Sequence, residues 1–547
     1  MTRARDGLWP LWLVAGLIPA ALLSVLFGWP VTAMLVRGFS DNGTFDLSVA
    51  GEVLTEARTW RLVAQTLGMA AAATAGTVLL GIPGAWALYR VRYRGRAALR
   101  TAATVPFVLP TVVVGMAFRS LGLDGTVVAV VLAMMFFNYS LMVRTVGALW
   151  QGLDSRVADS AATLGASPAR VFFTVTLPQL MPAIAAAASL IILFCSTAFG
   201  IVRTLGTPGS GTLETEIYRQ TTAMFDLRTA AVLSCLQLVI VAVTVAVSSA
   251  LGRRNRMPLR RHDAPPRPIT ARNSPLVIAT AAVVALLIVV PVTGLVVASL
   301  RVGDGFGVEN YLRLATSGAG FSGGITAVSA LENSLRIGVD ATLLAMLIGV
   351  PLALLLSRPR SGRLTRILDA AIMLPLGVSA VTVGFGMVVS LQPAFPQLAM
   401  SGALVPAAQA VIALPIVVRM LVPALRAIDQ RQREAAALLG ASPLRVLLTV
   451  DCAVLARVVG PAAGFAYALS LGEFGATTFL ARPDMPTLPV LIVRLLGRPG
   501  EYNYGMAMAS AVVLALLTGL IMLVSEQLRP RRLHRAAQHE TAGSVFI

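Results

Sequence analysis

Two short segments hold most of the residues in this chain that could make specific interactions. Residues 159–175 read DSAATLGASPARVFFTV, and residues 434–450, 275 positions further on, read EAAALLGASPLRVLLTV. Each has an acidic start, small residues, a glycine–alanine–serine–proline corner and an arginine. These residue types suit recognition between proteins better than bond-making catalysis. A chain that makes the same feature twice is expected to offer it to two copies of one partner.

Both segments are predicted to fold as two short helices joined by a sharp corner. Alanine and leucine favour the first helix, and the glycine fits the left-handed position that ends it. Serine followed by proline is typical of an N-cap and a first helical position. A rigid knob that fits a partner's groove is predicted, with a plain structural hairpin as the alternative. Its candidate residues are Asp159, Ala161, Gly165, Ser167, Pro168 and Arg170 in the first copy, and Glu434, Ala435, Ala436, Gly440, Ser442, Pro443 and Arg445 in the second.

Glu473 is a carboxylate within an apolar stretch, FAYALSLGEFGATTFL. An ionisable group at membrane depth is costly, so by default it marks a functional site. A carboxylate would be useful on the path of a cationic substrate. The alternative to substrate contact is a packing or gating role. Glu473 is therefore a candidate for a residue of the pathway or of its gate.

No site for covalent chemistry can be assembled from the sequence. All 44 basic residues are arginine, and a Walker A loop needs a lysine to reach the nucleotide phosphates. His262, His534 and His539 lie in basic segments without metal-ligand spacing. We therefore expect no enzyme activity, no metal and no cofactor bound by this chain.

The elements that must position these residues are membrane spans. Hydrophobic residues make up 56% of the chain, charged residues 13%, and the mean hydropathy is +0.80. Soluble domains have about 25% charged residues, so a lipid bilayer is the expected surrounding. Stretches of about 20 apolar residues predict transmembrane helices. The candidates are 11–36, 61–88, 101–121, 126–149, 183–201, 229–251, 275–300, 334–356, 367–391, 404–425, 458–479 and 504–524.

The arginines orient these twelve predicted spans. With a cytoplasmic N-terminus, most arginines fall in loops on the cytoplasmic side, as the positive-inside rule requires. The net charge of +19 is then an orientation signal and a contact to anionic lipid, and nucleic-acid binding is excluded. Both termini are predicted to be cytoplasmic.

The repeat divides the chain into two halves. Residues 1–252 are predicted to form the first transmembrane domain, with its repeated loop at about 150–182. Residues 253–273 form a basic, proline-rich cytoplasmic linker. Residues 274–528 form the second transmembrane domain, with its loop at about 425–457, and residues 529–547 a cytoplasmic tail. Six spans per half give the halves the same orientation, so the fold is predicted to be all-α with two parallel six-helix pseudo-repeats.

Prolines occur in the third span of each half, at Pro106, Pro110 and Pro375. Proline kinks or breaks a helix, and in a membrane such breaks persist only where protein or a cavity satisfies the freed carbonyls. These positions are predicted to line a pathway, and ordinary kinks in packed helices are the alternative.

At the repeated loops the chain resembles the membrane subunits of ATP-binding-cassette (ABC) importers. The signature of that family is E-A-A-x-x-x-G followed nine residues later by I-x-L-P. The first copy here keeps the ending as Val175-Thr176-Leu177-Pro178 and has Asp159 in place of the initial glutamate. The second copy keeps Glu434-Ala435-Ala436 and ends in Val450-Asp451-Cys452-Ala453.

The resemblance implies that each loop couples the membrane domain to one of two copies of a cytoplasmic ATPase subunit, which uses ATP and Mg. It also implies an extracytoplasmic substrate-binding protein and a bacterial inner-membrane location. The fused arrangement is most similar to the ferric iron and thiamine subgroup, on the segments 205–220 and 470–492.

Two other classes of protein remain as alternatives. A secondary transporter with two six-helix halves would use an ion gradient and have paired charges within its spans. A membrane-embedded enzyme would cluster nucleophiles, acids or metal ligands at one depth. The sequence has few charges in the spans and no such cluster, but it does not determine the substrate.

Overall fold

The computed structural model describes residues 9–41, 44–206, 211–254, 266–271, 273–318, 324–357 and 363–528. Helices dominate these ranges, which confirms the predicted all-α fold. Ten helical runs in the described part are long and apolar enough to cross a membrane, and one bent helix pair makes an eleventh span. The ten runs are Gly16–Phe39, Ala57–Arg90, Val127–Gln151, Pro168–Ser196, Leu227–Thr244, Ser274–Leu300, Ala327–Leu356, Leu404–Arg426, Pro443–Gly472 and Glu501–Gln527.

The bent pair is the predicted third span. Its first part ends at Phe107, its second part is Thr111–Arg119, and the two meet at an angle of 109°. Pro110 lies at the bend in an extended conformation, with φ −57° and ψ 145°. Because proline disfavours a helical conformation in the residue before it, the chain turns here. The predicted break is confirmed at this proline.

The predicted ninth span, 367–391, is also divided. Its parts are Arg363–Gly377 and Ala380–Ala394, and the second is a shorter apolar helix, so the described residues hold ten or eleven of the twelve predicted spans. Pro375 lies inside the first part and does not end it, so the expected break occurs a few residues later. There the Ser379 hydroxyl accepts a hydrogen bond from the Val381 amide at 3.1 Å and caps the next helix.

The fifth and eleventh spans begin earlier than predicted. They start at Pro168 and Pro443, inside the repeated loops, rather than near residues 183 and 458. The chain passes from loop to span through π-helical turns at Phe172–Thr176 and Leu447–Asp451, so no helix end separates them. Each loop is consequently continuous with a span.

Shorter elements connect the spans. The remaining helices are Ser48–Thr55, Arg96–Thr104, Ser155–Thr163, Phe199–Leu205, Leu213–Thr222, Glu309–Leu312, Pro396–Ser401, Gln430–Leu438, Thr477–Leu480 and Leu488–Leu496. Antiparallel two-residue strands pair Ser40–Asp41 with Thr44–Phe45 and Arg301–Val302 with Gly305–Phe306. A parallel pair joins Val91–Arg92 to Arg267–Pro268, at the end of the linker. The rest of the linker from 255 to 265, and the tail 529–547, lie outside the described residues.

One packing unit combines the chain up to Val53, Ile217–Cys235 and the part from Arg301 onward. Its apolar core surrounds Leu404–Arg426, which packs on Ala327–Leu356. The first helix of the chain, Trp9–Leu23, also packs on Ala327–Leu356. Close approach is required at Gly386, where a Cβ atom would lie 2.8 Å from the Pro30 carbonyl oxygen. The first predicted span therefore packs within the unit that holds most of the second half.

The other unit combines Leu54–Glu216 with Leu236–Leu300. Here Ala57–Arg90 packs on Val127–Gln151, and Ser274–Val284 packs on Ala57–Arg90. Thus the first span of the second half belongs to the unit that holds most of the first half. The two packing units do not coincide with the predicted domains 1–252 and 274–528, because each unit combines residues of both. The division into these domains remains a prediction from the sequence repeat.

Candidate functional site

The two repeated loops have the same backbone geometry. We call residues 150–182 the first repeat loop and residues 425–457 the second repeat loop. Their first helices, Ser155–Thr163 and Gln430–Leu438, are each N-capped by an aspartate, Asp154 or Asp429, which accepts from the amide two residues later at 3.0 Å. The described structure thus repeats, helix by helix, what the sequence repeats.

Each first helix ends at the predicted glycine. Gly165 has φ +84° and Gly440 has φ +83°, in the left-handed region that favours glycine. In the first loop the Gly165 amide donates to the Ala162 carbonyl at 3.0 Å, and the Ala166 amide to the Ala161 carbonyl at 3.1 Å. The second loop makes the same two bonds one repeat later. This pair of bonds is a Schellman motif, which satisfies carbonyls at the helix end and fixes the corner.

The second helix of each loop starts as predicted. Ser167 and Ser442 are extended N-caps, with Pro168 and Pro443 at the first helical position. Their hydroxyls accept hydrogen bonds from the backbone amides of Arg170 at 3.3 Å and Arg445 at 3.4 Å. Both arginines are exposed. The local prediction from the sequence is confirmed, and the coupling role of these residues remains a prediction.

Apolar side chains project from both corners. Leu164 and its equivalent Leu439 are each 89% exposed, and Leu438 is 81% exposed. Asp159 and Glu434 are exposed beside them. Exposed leucines grouped with charged residues on a rigid corner are typical of surfaces that a partner covers. The arrangement is suited to docking, in two places, onto a protein groove.

The two loops differ in how they are attached. In the second loop, Arg433 forms an ion pair with Asp451 at 2.7 Å. The positions equivalent to these two are Ala158 and Thr176 in the first loop, where Trp150 instead stacks on Phe172. Sequence reasoning missed the ion pair. The signal that could have indicated it is that a basic and an acidic residue both appear in the second copy where the first copy has uncharged residues.

Glu473 follows the span Pro443–Gly472 and is 8% exposed. One carboxylate oxygen accepts from the Ala476 amide at 2.8 Å, and the other accepts from the Thr477 amide at 2.9 Å and from the Thr477 hydroxyl. That hydroxyl also accepts from the Gln409 side-chain amide at 3.0 Å. Glu473 therefore caps the helix Thr477–Leu480, and its pathway or gating role remains a prediction.

Of the three predicted pathway prolines, Pro110 breaks its span, whereas Pro375 lies inside the helix Arg363–Gly377. Pro106 and Pro375 are buried, and Pro110 sits at the sharp bend. Whether they line a pathway remains a prediction. Among the described residues, no group of three or more His, Cys, Asp or Glu side chains could hold a metal ion, and the three histidines fall outside the described ranges.

Two buried acids were not singled out from the sequence. Glu214 and Glu216 lie on the helix Leu213–Thr222 and are 0% and 7% exposed. Glu216 pairs with Arg58 at 3.1 Å. Their positions in LETEIYRQ, the polar segment after the fifth span, could have indicated them, but burial of such a segment depends on contacts distant in the chain.

Comparison with known proteins agrees with this geometry. Residues 77–257 match the family described as binding-protein-dependent transport system inner membrane component. The thiamine transport system permease protein ThiP of Brucella suis biovar 1 is 26% identical over 541 residues, covering 94% of this chain and 95% of that protein. ThiP of Escherichia coli is 26% identical over 557 residues, covering 97% of this chain and 99% of that protein.

Matches to shorter proteins cover about half of the chain. The putative 2-aminoethylphosphonate transport system permease protein PhnU of Salmonella typhimurium is 28% identical and covers 42% of this chain and 87% of its own length. A chain of a bacterial ABC transporter involved in alginate import covers 46% of this chain and 99% of that chain, at 17% identity and a TM-score of 0.40. The helical spans, the family match over residues 77–257 and the full-length relatives agree, and the chain is thus similar to multi-pass permeases of bacterial ABC importers.

Proposed function

We propose that this chain forms the whole translocation pathway of an importer for thiamine, and that a separate subunit hydrolyses ATP. The observation that carries the proposal is the pair of repeat loops, which present the same exposed leucine corner twice. Two corners with the same backbone geometry suit two copies of one ATPase subunit. The two full-length relatives described above support thiamine as the substrate, since both are named as thiamine permeases.

The repeat loops provide a direct mechanical connection for such a partner. Each corner is fixed by a Schellman motif and runs through a π-helical turn into a span, without an intervening helix end. A groove that moves when ATP binds would therefore move the span with the corner. The chain itself contributes no ATP site, because it has no lysine for a Walker A loop, and ATP and Mg would act on the partner subunit.

The substrate-binding protein is the second proposed partner. It would deliver thiamine on the extracytoplasmic side, while both termini of the permease lie in the cytoplasm, as the arginine distribution favours. Ferric iron and 2-aminoethylphosphonate are the other substrates to test, the first from the sequence resemblance and the second from the relative that covers part of the chain.

Reconstitution tests the proposal directly. The permease is co-expressed with the ATPase subunit, purified in mild detergent and placed in liposomes with a binding protein loaded with thiamine, ferric iron or 2-aminoethylphosphonate. We expect two ATPase subunits per permease and ATP hydrolysis stimulated by the thiamine-loaded protein. Stable purification without an ATPase subunit would contradict the coupling proposal. Stimulation only by one of the other ligands would retain the importer and replace thiamine.

A further inference from the structure

Each repeat loop is tied back to the end of the span before it, but by different chemistry. In the first loop, Trp150 at the end of Val127–Gln151 stacks on Phe172, with ring centroids 6.1 Å apart and planes inclined by 29°. The equivalent residues of the second loop are Leu425 and Leu447, which have no rings. An apolar contact thus attaches the first loop, and another contact takes its place in the second.

That other contact is a clamp made by one arginine. Nε and Nη2 of Arg433 donate to the same oxygen of Asp451, at 2.9 and 2.7 Å, and Nη2 also donates to the Leu425 carbonyl at 3.2 Å. Arg433 lies on Gln430–Leu438, the first helix of the second repeat loop. Asp451 ends the π-helical turn, and Leu425 lies at the end of the preceding span. Three elements of the second repeat loop therefore meet at one guanidinium.

Burial strengthens the hydrogen bonds of the clamp and restricts their geometry. The side chains of Arg433 and Asp451 are 15% and 1% exposed, so water competes little for either. Charge-assisted hydrogen bonds are short and directional, and a buried charge without its partner is strongly unfavourable. The first loop cannot form such a clamp, because alanine and threonine occupy the equivalent positions 158 and 176.

We propose that Arg433 and Asp451 are positioning residues, which lock the second repeat loop at a fixed angle to the preceding span and make the two loops unequal in transmitting motion. The transport consequence rests on the proposed function. A docked second loop would carry its span with it through a three-point contact. The first loop, held by stacked rings, would allow more movement between knob and span.

Hydrogen exchange of the purified full-length protein tests the clamp without any transport assay. The double variant Arg433→Ala/Asp451→Thr installs the residues of the first loop and leaves no unpaired buried charge, so it is expected to fold. Amides of Gln430–Leu438 should exchange about 3- to 30-fold faster, while those of Ser155–Thr163 stay unchanged. Arg431→Ala removes an exposed arginine from the same helix and should leave the exchange pattern as in the unmodified protein. Unchanged exchange in the double variant would overturn the proposal.

Stimulated ATP hydrolysis of the reconstituted complex tests the transmission of motion. We expect the double variant to assemble with the ATPase subunit but to lose about 3- to 30-fold in stimulation by loaded binding protein. The charge reversal Arg433→Asp/Asp451→Arg should recover part of this loss. Trp150→Leu/Phe172→Leu, which installs the residues of the second loop in the first, should cost less. Full stimulation in the double variant would overturn the inference.

The two experiments separate failure of this inference from failure of the proposed function. If the unmodified complex shows no ATP hydrolysis stimulated by a loaded binding protein, the proposed function fails, and hydrogen exchange still decides whether the clamp holds the second loop. If the unmodified complex is stimulated and the double variant is too, only the inference fails.

Discussion

The backbone amide of Leu488 donates a hydrogen bond of 2.7 Å to the Ser334 hydroxyl, 154 residues earlier in the chain. In the other packing unit the Leu213 amide donates to the Thr66 hydroxyl at 3.1 Å. Leu213 and Leu488 start equivalent helices, and Thr66 and Ser334 occupy matching places in the second span of each half. A hydroxyl near the start of that span thus holds the helix that follows the fifth span, in both halves.

Removing this hydroxyl should destabilise the protein. Ser334 is 3% exposed, so Ser334→Ala leaves the Leu488 amide buried without its acceptor, at a cost of about 1–3 kcal/mol. We expect a lower midpoint of thermal unfolding in detergent, measured by intrinsic fluorescence. Ser334→Thr, which copies the first half, retains the hydroxyl and should stay close to the unmodified protein. Equal midpoints for the alanine and threonine variants would contradict this role.

The local part of the fold could be predicted from the sequence because local chemistry determines it. Glycine at a helix end and serine before proline fixed the corners of both repeat loops, and Pro110 indicated the sharp bend. The segments Gln65-Thr66-Leu67 and Asn333-Ser334-Leu335 have similar sequences, but these sequences do not show that the hydroxyls of Thr66 and Ser334 are hydrogen-bond acceptors.

The remaining features depend on contacts between residues distant in the chain. The clamp joins Arg433 to Asp451, 18 positions later, and Thr477, which donates to Glu473, also accepts a hydrogen bond from Gln409, 68 positions earlier. The packing of Trp9–Leu23 on Ala327–Leu356 joins spans more than half the chain apart. Apolar periodicity predicts that such helices exist but does not select their neighbours.

Substitution of the corner glycines should uncouple transport without loss of the membrane fold. At φ of +84° and +83°, any residue with a Cβ atom costs about 1–2 kcal/mol, although no atom would lie within 4 Å of that Cβ. We expect Gly165→Val/Gly440→Val to be present in normal amount and to lose most thiamine uptake, measured with labelled thiamine in liposomes.

A third glycine provides the control for this double variant. Gly95 has φ +85° and likewise nothing within 4 Å of a built Cβ, but it lies outside both repeat loops. Gly95→Val should carry the same backbone strain and retain uptake. Equal uptake by the double variant and the control would show that the corners are not docking elements.

Replacement of Glu473 distinguishes a structural cap from a substrate contact. Both carboxylate oxygens accept backbone amides, and Glu473→Gln would turn a side-chain NH2 toward one of those amides. The unmet donor should cost about 1–3 kcal/mol, so we expect less folded protein and a lower unfolding midpoint. The protein that does fold should keep its KM for thiamine-loaded binding protein. A raised KM at an unchanged unfolding midpoint would instead place Glu473 on the pathway.

The acid stability of the loop after the first span should depend on Asp46. Hydrogen bonds from the Arg228 guanidinium, at 2.8 Å, and from the amide and hydroxyl of Ser48 hold the pKa of Asp46 at about 2, below its ordinary value of 3.8. Because the pKa is lowered on folding, the paired carboxylate stabilises the folded protein above about pH 4, and this contribution is lost as the pH falls toward 2.

Asp46→Asn therefore should have a pH-dependent effect. Its unfolding midpoint in detergent should lie below that of the unmodified protein at neutral pH, and the difference should shrink between pH 4 and pH 2 as Asp46 becomes protonated. Asp484→Asn is the matched control, because Asp484 is likewise held at a lowered pKa by an arginine, Arg482, but only two positions away. The bond of Asp484 to Arg482 closes a local turn, and the Arg482 bond to the Met400 carbonyl stays in place in the variant, so the loss of Asp484 should change the midpoint less. A difference between Asp46→Asn and the unmodified protein that stays constant down to pH 2 would mean that the Arg228 pair does not stabilise the fold through its charge.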